Sequence, residues 1–181
     1  MRTFHYTVRI LEHEVPAAEY LRTCVDVEKF QGFCKACENY GHNWSCPPYD
    51  EDVMAVWQGC SALRLYARML VPDAPGQDAQ AAIEAIYAEK QKLLDELRER
   101  ERAVPGSRGL AAGRCMICPR CARADGAPCR FPERMRPPLE ALGADVMQTA
   151  ARWLGHPVLW IKDGVVPEYL LQVGALLIPK D

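Results

Sequence analysis

The 181-residue sequence has no apolar run long enough to cross a bilayer as a helix, which takes about 20 residues. It also has no excess of positive charge. Its net charge is −2, which excludes the basic surface typical of proteins that bind nucleic acid or anionic membranes. Residues 1–13 alternate between polar and apolar side chains and lack the unbroken apolar core of a signal peptide. We therefore expect a cytoplasmic protein with neither nucleic acid nor membrane as a partner.

The common catalytic and nucleotide-binding motifs are missing as well. The sequence contains no phosphate-cradling P-loop, no G-x-G-x-x-G fingerprint and no G-x-S-x-G nucleophile elbow. The C-x3-C-x2-C spacing associated with radical-SAM enzymes is also absent. No low-complexity stretch or linker divides the chain, so we expect residues 1–181 to form a single domain. Hydrophobic residues make up 49% of the chain, which is enough for a sizeable core, so the fold need not depend on bound metal alone for its stability.

Cysteine, by contrast, is abundant. Nine cysteines are present, and seven of them fall into two tight groups. A secreted disulfide protein is usually shorter and has its cysteines spread along the chain, whereas clustered cysteines in a reducing cytosol more often bind metal or do redox chemistry. The first cysteine group comprises Cys34, Cys37 and Cys46, and the second comprises Cys115, Cys118, Cys121 and Cys129.

The spacing of the second cysteine group favours an iron–sulfur cluster. Three cysteines at two-residue gaps, followed by a fourth after seven residues, resemble the ferredoxin pattern for a 4Fe-4S cluster. A tight loop can wrap three thiolates around such a compact cluster and point backbone N–H groups at its sulfurs. Zinc sites more often use two separate C-x2-C pairs, so the overlapping triple favours iron over zinc.

The first cysteine group contains only three cysteines, and its last one precedes Pro47. A cysteine followed by proline also ends the ferredoxin run, where that cysteine can serve the other cluster. Seven cysteines do not fill two four-ligand sites, so three arrangements remain open. In the first, one cluster draws ligands from both groups and the remaining cysteines are structural. In the second, two clusters form, with an eighth ligand from an outside molecule or from Cys24, Cys60, His42 or Asp50. In the third, the first cysteine group holds a cluster with one open iron. Cys24 and Cys60 are more simply explained as small buried hydrophobic residues.

Both cysteine motifs and the segment after them resemble a known family. Residues 34–48 read Cys-x2-Cys-x2-Tyr-Gly-x2-Trp-x-Cys-Pro-Pro, and residues 115–132 read Cys-x2-Cys-x2-Cys-x7-Cys-Arg-x-Pro. Residues 136–146 are similar to Arg-Pro-Ser-x-Glu-Ala-x-Gly-x-Asp-Val, with Pro138 in place of Ser. These patterns, in this order, resemble a bacterial and archaeal family called predicted metal-binding proteins. The resemblance implies metal binding by all seven clustered cysteines and implies no particular reaction.

Three arginines follow Cys129 closely: Arg130, Arg134 and Arg136. A cluster held by thiolates is net negative, so nearby guanidinium groups would stabilise it and raise its potential. The same groups are suited to an anionic substrate or an acidic partner. The simpler alternative is a solvated basic turn.

Hydrophobic periodicity predicts an α+β fold with a small, mostly antiparallel sheet. Strands are expected over residues 2–11, 61–71, 110–113, 158–162 and 169–178. Helices are expected over residues 16–22, 51–58, 78–103, 137–143 and 145–154, with Asp50 as the cap of the second. The last two strands should pair through a turn at Asp163 and Gly164. The cysteine loops, residues 31–50 and 114–132, are predicted to be irregular.

Three functional hypotheses follow. The first is a 4Fe-4S protein with one or two clusters that serves electron transfer or a redox accessory role for a redox partner protein. The second is an enzyme whose cluster is held by three cysteines and keeps one iron open for a substrate. The third is a binding module stabilised by zinc.

Overall fold

In the computed structural model, which describes residues 3–180, a four-stranded antiparallel sheet combines with five α-helices. The strands are β1 (Tyr6–Pro16), β2 (Cys60–Pro72), β3 (Arg108–Leu110) and β4 (Leu170–Pro179). The helices are α1 (Ala17–Cys24), α2 (Val27–Lys35), α3 (Val53–Gln58), α4 (Ala79–Ala103) and α5 (Val146–Trp153). Short 3-10 helices cover Ala122–Asp125 and Leu139–Leu142. The predicted α+β class and antiparallel sheet are confirmed.

The sheet has the order β1-β2-β4-β3, and each neighbouring pair is antiparallel. β4 therefore lies between β2 and β3, although it comes last in the chain. Its register sets Leu170 opposite Leu70 of β2 and Ala175 opposite Leu110 of β3. Within residues 3–180, no helix is both long enough and apolar enough to pass through a bilayer.

Helices cover both faces of the sheet because strand side chains alternate between the two faces. Leu63 and Leu65 of β2 lie in the main core cluster, together with Tyr20 of α1 and Trp57 of α3. Tyr66 lies in a second, smaller cluster with residues of α4 and β4: Leu93, Leu97 and Leu176. The long helix α4 thus packs on one face, and α1, α3 and α5 contribute to the core on the other.

The strongest periodic patterns predicted their elements well. The bounds of β2 and α4 lie within two residues of the expected ones. The predicted apolar stripe of α4 faces the core, where four of its members are buried: Lys90, Leu93, Leu94 and Leu97. Asp78 and Asp145 cap α4 and α5 as the N-cap pattern indicates, since each side chain accepts a backbone N–H from the first turn. These elements have either a long apolar stripe or a clear cap.

The predicted loop over residues 31–50 is wrong at its start. Residues 31–35 belong to α2, so Cys34 lies in the last turn of a helix. Asp26 caps this helix by accepting the N–H of Lys29 at 3.0 Å. None of the α2 residues is buried, which is why no apolar stripe marked the helix in the sequence.

The predicted strand over residues 158–162 is also wrong. Lys162 forms an isolated bridge with Val165, and no strand covers the segment. β4 pairs with β2 and β3 instead of the expected hairpin partner.

Three other predicted boundaries shift. Asp52 rather than Asp50 caps α3, because its side chain accepts the N–H of Met54 at 2.8 Å. β3 ends at Leu110, where the expected strand was to begin. β1 runs from Tyr6 to Pro16 rather than over residues 2–11, and Arg2 lies outside the described residues.

Gly143 fixes the start of α2 against the segment that follows the second cysteine group. Its φ is +88°, and a Cβ at this position would lie 2.7 Å from Val27 Cα. The N–H of Asp26 donates to Gly143 O at 2.8 Å, and the N–H of Asp145 donates to Cys24 O at 2.7 Å. A larger residue at Gly143 would therefore strain the turn and push α2 away. This contact places α2 beside the 3-10 helix Leu139–Leu142.

Candidate metal centre

The first cysteine group is held by successive tight turns after α2. The N–H of Cys37 donates to Cys34 O at 3.0 Å, and the N–H of Cys46 donates to Asn43 O at 2.9 Å. Cys46 is buried, Cys34 is partly buried and Cys37 is exposed. The site therefore reaches from the interior to the surface.

The thiols of this group interact electrostatically. Burial raises the pKa of Cys34 to about 11, and negative charge on Cys46, Glu140 and Cys37 adds to the shift. Burial also raises the pKa of Cys46, with further contributions from Cys37 and Glu140. The three thiols thus lie within electrostatic range of one another. Bringing them together as thiolates is unfavourable unless a cation is bound between them.

The second cysteine group surrounds a cavity. All four of its cysteines line this space, and the other lining residues are Asn43, Trp44, Ile117, Ala122, Arg130, Phe131 and Met135. The N–H of Trp44 donates to Cys121 Sγ at 3.4 Å. A backbone N–H directed at a thiolate is the kind of contact that stabilises sulfur-ligated iron. Four thiols around one cavity form a donor set that is suited to metal.

A network of buried hydrogen bonds joins the two groups. Ser45 Oγ accepts the N–H of Cys115 at 2.8 Å and donates to Asn43 Oδ1 at 2.9 Å. Asn43 Nδ2 in turn donates to Cys115 O at 3.0 Å. Ser45 and Asn43 are both buried, so this network fixes the two cysteine loops relative to each other. The position of both residues between Cys37 and Cys46 was their only signal in the sequence.

Arg123 adds a second connection between the loops. Its guanidinium donates to Asn43 O at 3.2 Å, to Cys46 O at 2.6 Å and to Pro48 O at 2.8 Å. It also lies over the ring of Trp44, 4.9 Å from the centroid. The second loop therefore supplies a cation that binds the carbonyls of the first.

Lys90 of α4 anchors the entry to the second cysteine group. Its ammonium donates to Ala112 O at 2.7 Å, Gly113 O at 2.9 Å and Arg114 O at 2.8 Å. Burial lowers the pKa of Lys90 to about 8, while the negative charges of Glu140 and Cys115 oppose this shift. In the sequence, Lys90 stands among the apolar residues of the core-facing stripe of α4. A lysine in that position indicates a buried ammonium group that needs polar partners.

Glu140 lies between the two groups and was not assigned a role from the sequence. Its Oε1 accepts the N–H of Gly113 at 2.7 Å. Its Oε2 is buried and has no hydrogen-bond partner within residues 3–180. Burial raises the pKa of this carboxyl group, and the hydrogen bond from Gly113 partly offsets the shift. The only sequence signal was its place in the motif over residues 136–146.

The four chain residues considered as an eighth ligand lie in different surroundings. Cys24 and Cys60 are part of the main hydrophobic core, and Cys60 Sγ donates to Val56 O at 3.2 Å. His42 and Asp50 are exposed. The ring of His42 is held by its own loop, with Nδ1 lying 2.8 Å from Tyr40 O.

The three arginines after Cys129 are separated in space. Arg130 lines the cavity of the second cysteine group. Arg134 lines an adjoining pocket that also includes Lys90. Arg136 forms an ion pair with Glu101 of α4. Only Arg130 therefore borders the cavity itself.

No three Cys, His, Asp or Glu side chains between residues 3 and 180 converge closely enough to hold a single metal ion. One zinc ion requires its ligands at about 2.0–2.3 Å from a common point. A 4Fe-4S cluster takes one thiolate at each of several irons, so its ligands stand further apart. The thiols of the second cysteine group line one cavity without converging on a common point.

The α+β fold and the two adjoining cysteine groups define a small cysteine-rich domain whose thiols are suited to metal. The model of the family described as predicted metal-binding protein (DUF2284) matches residues 22–178. The chain therefore belongs to this family, which confirms the resemblance inferred from its motifs. No curated protein and no solved structure matches the chain. The family description specifies metal binding without naming the metal.

Proposed function

We propose that the protein binds two iron–sulfur clusters, one at each cysteine group, and exchanges electrons with a redox partner protein. The observation that carries the proposal is the cavity lined by Cys115, Cys118, Cys121 and Cys129. The N–H of Trp44, directed at Cys121 Sγ, supports cluster binding at this site. When bound, each cluster would supply one-electron redox chemistry at a potential set by its surroundings.

Two clusters fit better than one shared cluster. The cavity of the second cysteine group is lined by all four of its own cysteines and by no cysteine of the first group. The second group therefore supplies four thiols by itself, which supports a separate site at the first group.

The exposure of Cys37 supports exchange with a partner. A redox site that reaches the surface allows an electron to pass over a short distance to another protein. Phe33, which is 61% exposed, lies one residue before Cys34 and adds an apolar contact surface there. The partner would dock at this end of α2.

Quantification of iron, sulfide and zinc per chain in protein prepared without oxygen tests the proposal. We expect about eight iron and eight sulfide for two 4Fe-4S clusters, and reversible bleaching of the visible band on reduction. Strict exclusion of oxygen matters because zinc can occupy thiolate sites after a cluster is lost. Stoichiometric zinc in protein expressed with ample iron would instead support the zinc-stabilised binding module.

An enzyme with one open iron is the second candidate, because the first cysteine group has only three thiols. Addition of a substrate should then perturb a single iron in Mössbauer spectra. This candidate would be contradicted if the spectra showed that protein and sulfide ligands fill all four positions of every iron. The same holds if added small molecules left every iron unchanged.

A further inference from the structure

The first cysteine group lacks a fourth thiolate, but the 3-10 helix Leu139–Leu142 brings a carboxylate beside it. Gln31 Nε2 of α2 donates to Ala141 O at 2.9 Å. This bond ties the backbone next to Glu140 to the helix turn that precedes Cys34. The close approach of Gly143 to Val27 fixes the same pair of segments at the start of α2.

One oxygen of Glu140 has a partner and the other does not. Oε1 accepts the N–H of Gly113, which orients the carboxylate. Oε2 is buried without a hydrogen bond from any of residues 3–180. Carboxylate oxygens are strong acceptors, and leaving one buried and unpaired is costly.

The nearest buried cation does not satisfy this oxygen. An ammonium group has three N–H donors. Lys90 directs them at the carbonyls of Ala112, Gly113 and Arg114. The described residues form no ion pair between Lys90 and Glu140 within 4.0 Å. Oε2 is therefore free to bind a further cation.

The 3-10 helix Leu139–Leu142 packs directly against α2, whose last turn carries Cys34. Glu140 and Cys34 therefore lie on two segments that are in direct contact.

We propose that Glu140 Oε2 is the fourth protein ligand of the first cysteine group, completing a three-cysteine, one-carboxylate site with Cys34, Cys37 and Cys46. This inference rests on the proposed function. A hard oxygen ligand among soft thiolates would make one iron chemically distinct and more easily lost than the others.

The test is iron content and Mössbauer spectroscopy of chain loaded with iron-57 without oxygen. In the wild type we expect one distinct iron out of about eight. Glu140→Ala should lose about one iron per chain, while Glu140→Cys should retain full iron and remove the distinct signal, since all ligands are then thiolates. Glu133→Gln, at an exposed carboxylate, is the matched control and should match the wild type.

Two outcomes overturn the inference while leaving the proposed function intact. One is full iron with an unchanged distinct signal in Glu140→Ala. The other is a wild type with two clusters and no distinct iron. Should Glu140→Ala not fold, Glu140→Leu keeps the side-chain volume without an oxygen ligand and replaces it in the test. An unchanged distinct iron in that variant also overturns the inference. A wild type without iron overturns the proposed function itself.

Discussion

The two cysteine groups are held in different ways. The second lies in one irregular segment, residues 114–132, whose four cysteines line a single cavity. The first begins on the last turn of α2, and α2 itself is fixed by contacts with residues more than a hundred positions later. The cysteines of the second group therefore all come from one loop, whereas the first group spans the end of a helix that the tertiary fold positions and the turns that follow it.

This difference has a consequence for metal removal. The second loop contains only one short 3-10 helix, Ala122–Asp125. Its protein anchors are Lys90 and the hydrogen bonds with Asn43, Trp44 and Ser45, so metal ligation would supply much of its remaining order. α2 keeps its cap at Asp26 and its bond from Gln31 to Ala141 without any metal. Loss of metal should loosen the second group more than the first.

The largest expected effect separates the groups directly. Cys118→Ser should remove about half of the iron and expose the peptide bonds after Arg120 and Arg130 to trypsin, because thiolate ligation orders this loop. Cys34→Ser should also remove about half of the iron but leave those bonds protected. Iron analysis and limited proteolysis measure both outcomes.

Cys60→Ser is the control for these variants. Its thiol lies in the main core, so iron content should equal that of the wild type. A complete loss of iron in both Cys118→Ser and Cys34→Ser would point to one cluster shared between the groups. Equal iron loss in Cys60→Ser would contradict the division of the nine cysteines.

An intermediate effect is expected from Lys90→Met. The substitution leaves three buried carbonyls without their charged donor, which should lower the free energy of unfolding by about 3 kcal/mol. Chemical denaturation measures this change, and iron should be lost from the second group first. Lys92→Met is the matched control, because Lys92 is exposed and its partner Glu89 keeps the ion pair with Arg68. Equal destabilisation by both variants would argue against an anchoring role.

The smallest expected effect concerns the connection between the groups. Ser45→Ala removes the acceptor of the Cys115 N–H and should cost about 1–2 kcal/mol of unfolding free energy. Both groups should lose iron at similar rates to an added chelator, since Ser45 adjoins Cys46 as well. Ser61→Ala, at an exposed hydroxyl, should leave stability and iron retention unchanged. Faster loss from one group alone would show that they are not coupled through Ser45.

The parts of the fold that could be predicted are those with a strong local signal. β2 and α4 have unbroken apolar patterns, and Asp145 gives α5 a clear cap. α2 escaped prediction because it buries no side chain. The segment 158–162 has strand-like composition, but β2 occupies the place beside β4 that it would need.

For the site, sequence spacing grouped the seven cysteines but could not reveal what surrounds them. The hydrogen bond that Gly113 N–H donates to Glu140 joins residues 27 positions apart, and the one that Cys115 N–H donates to Ser45 joins residues 70 positions apart. Such contacts depend on the packing of α2 beside the 3-10 helix Leu139–Leu142 and of α4 against the sheet, which no local pattern encodes. Glu140 and Ser45 were therefore visible only in the folded chain.

Because β4 lies between β2 and β3, the sheet cannot be completed until β4 has been synthesised. A ribosome adds roughly 5–20 residues per second, so Cys115 is made about 3 to 14 s after Cys46. Until translation has passed Pro179, β2 lacks one of its two neighbours and α4 lacks the strand on which it packs most closely. The sheet that supports α4, and with it the anchor at Lys90, is therefore complete only after β4 has been made.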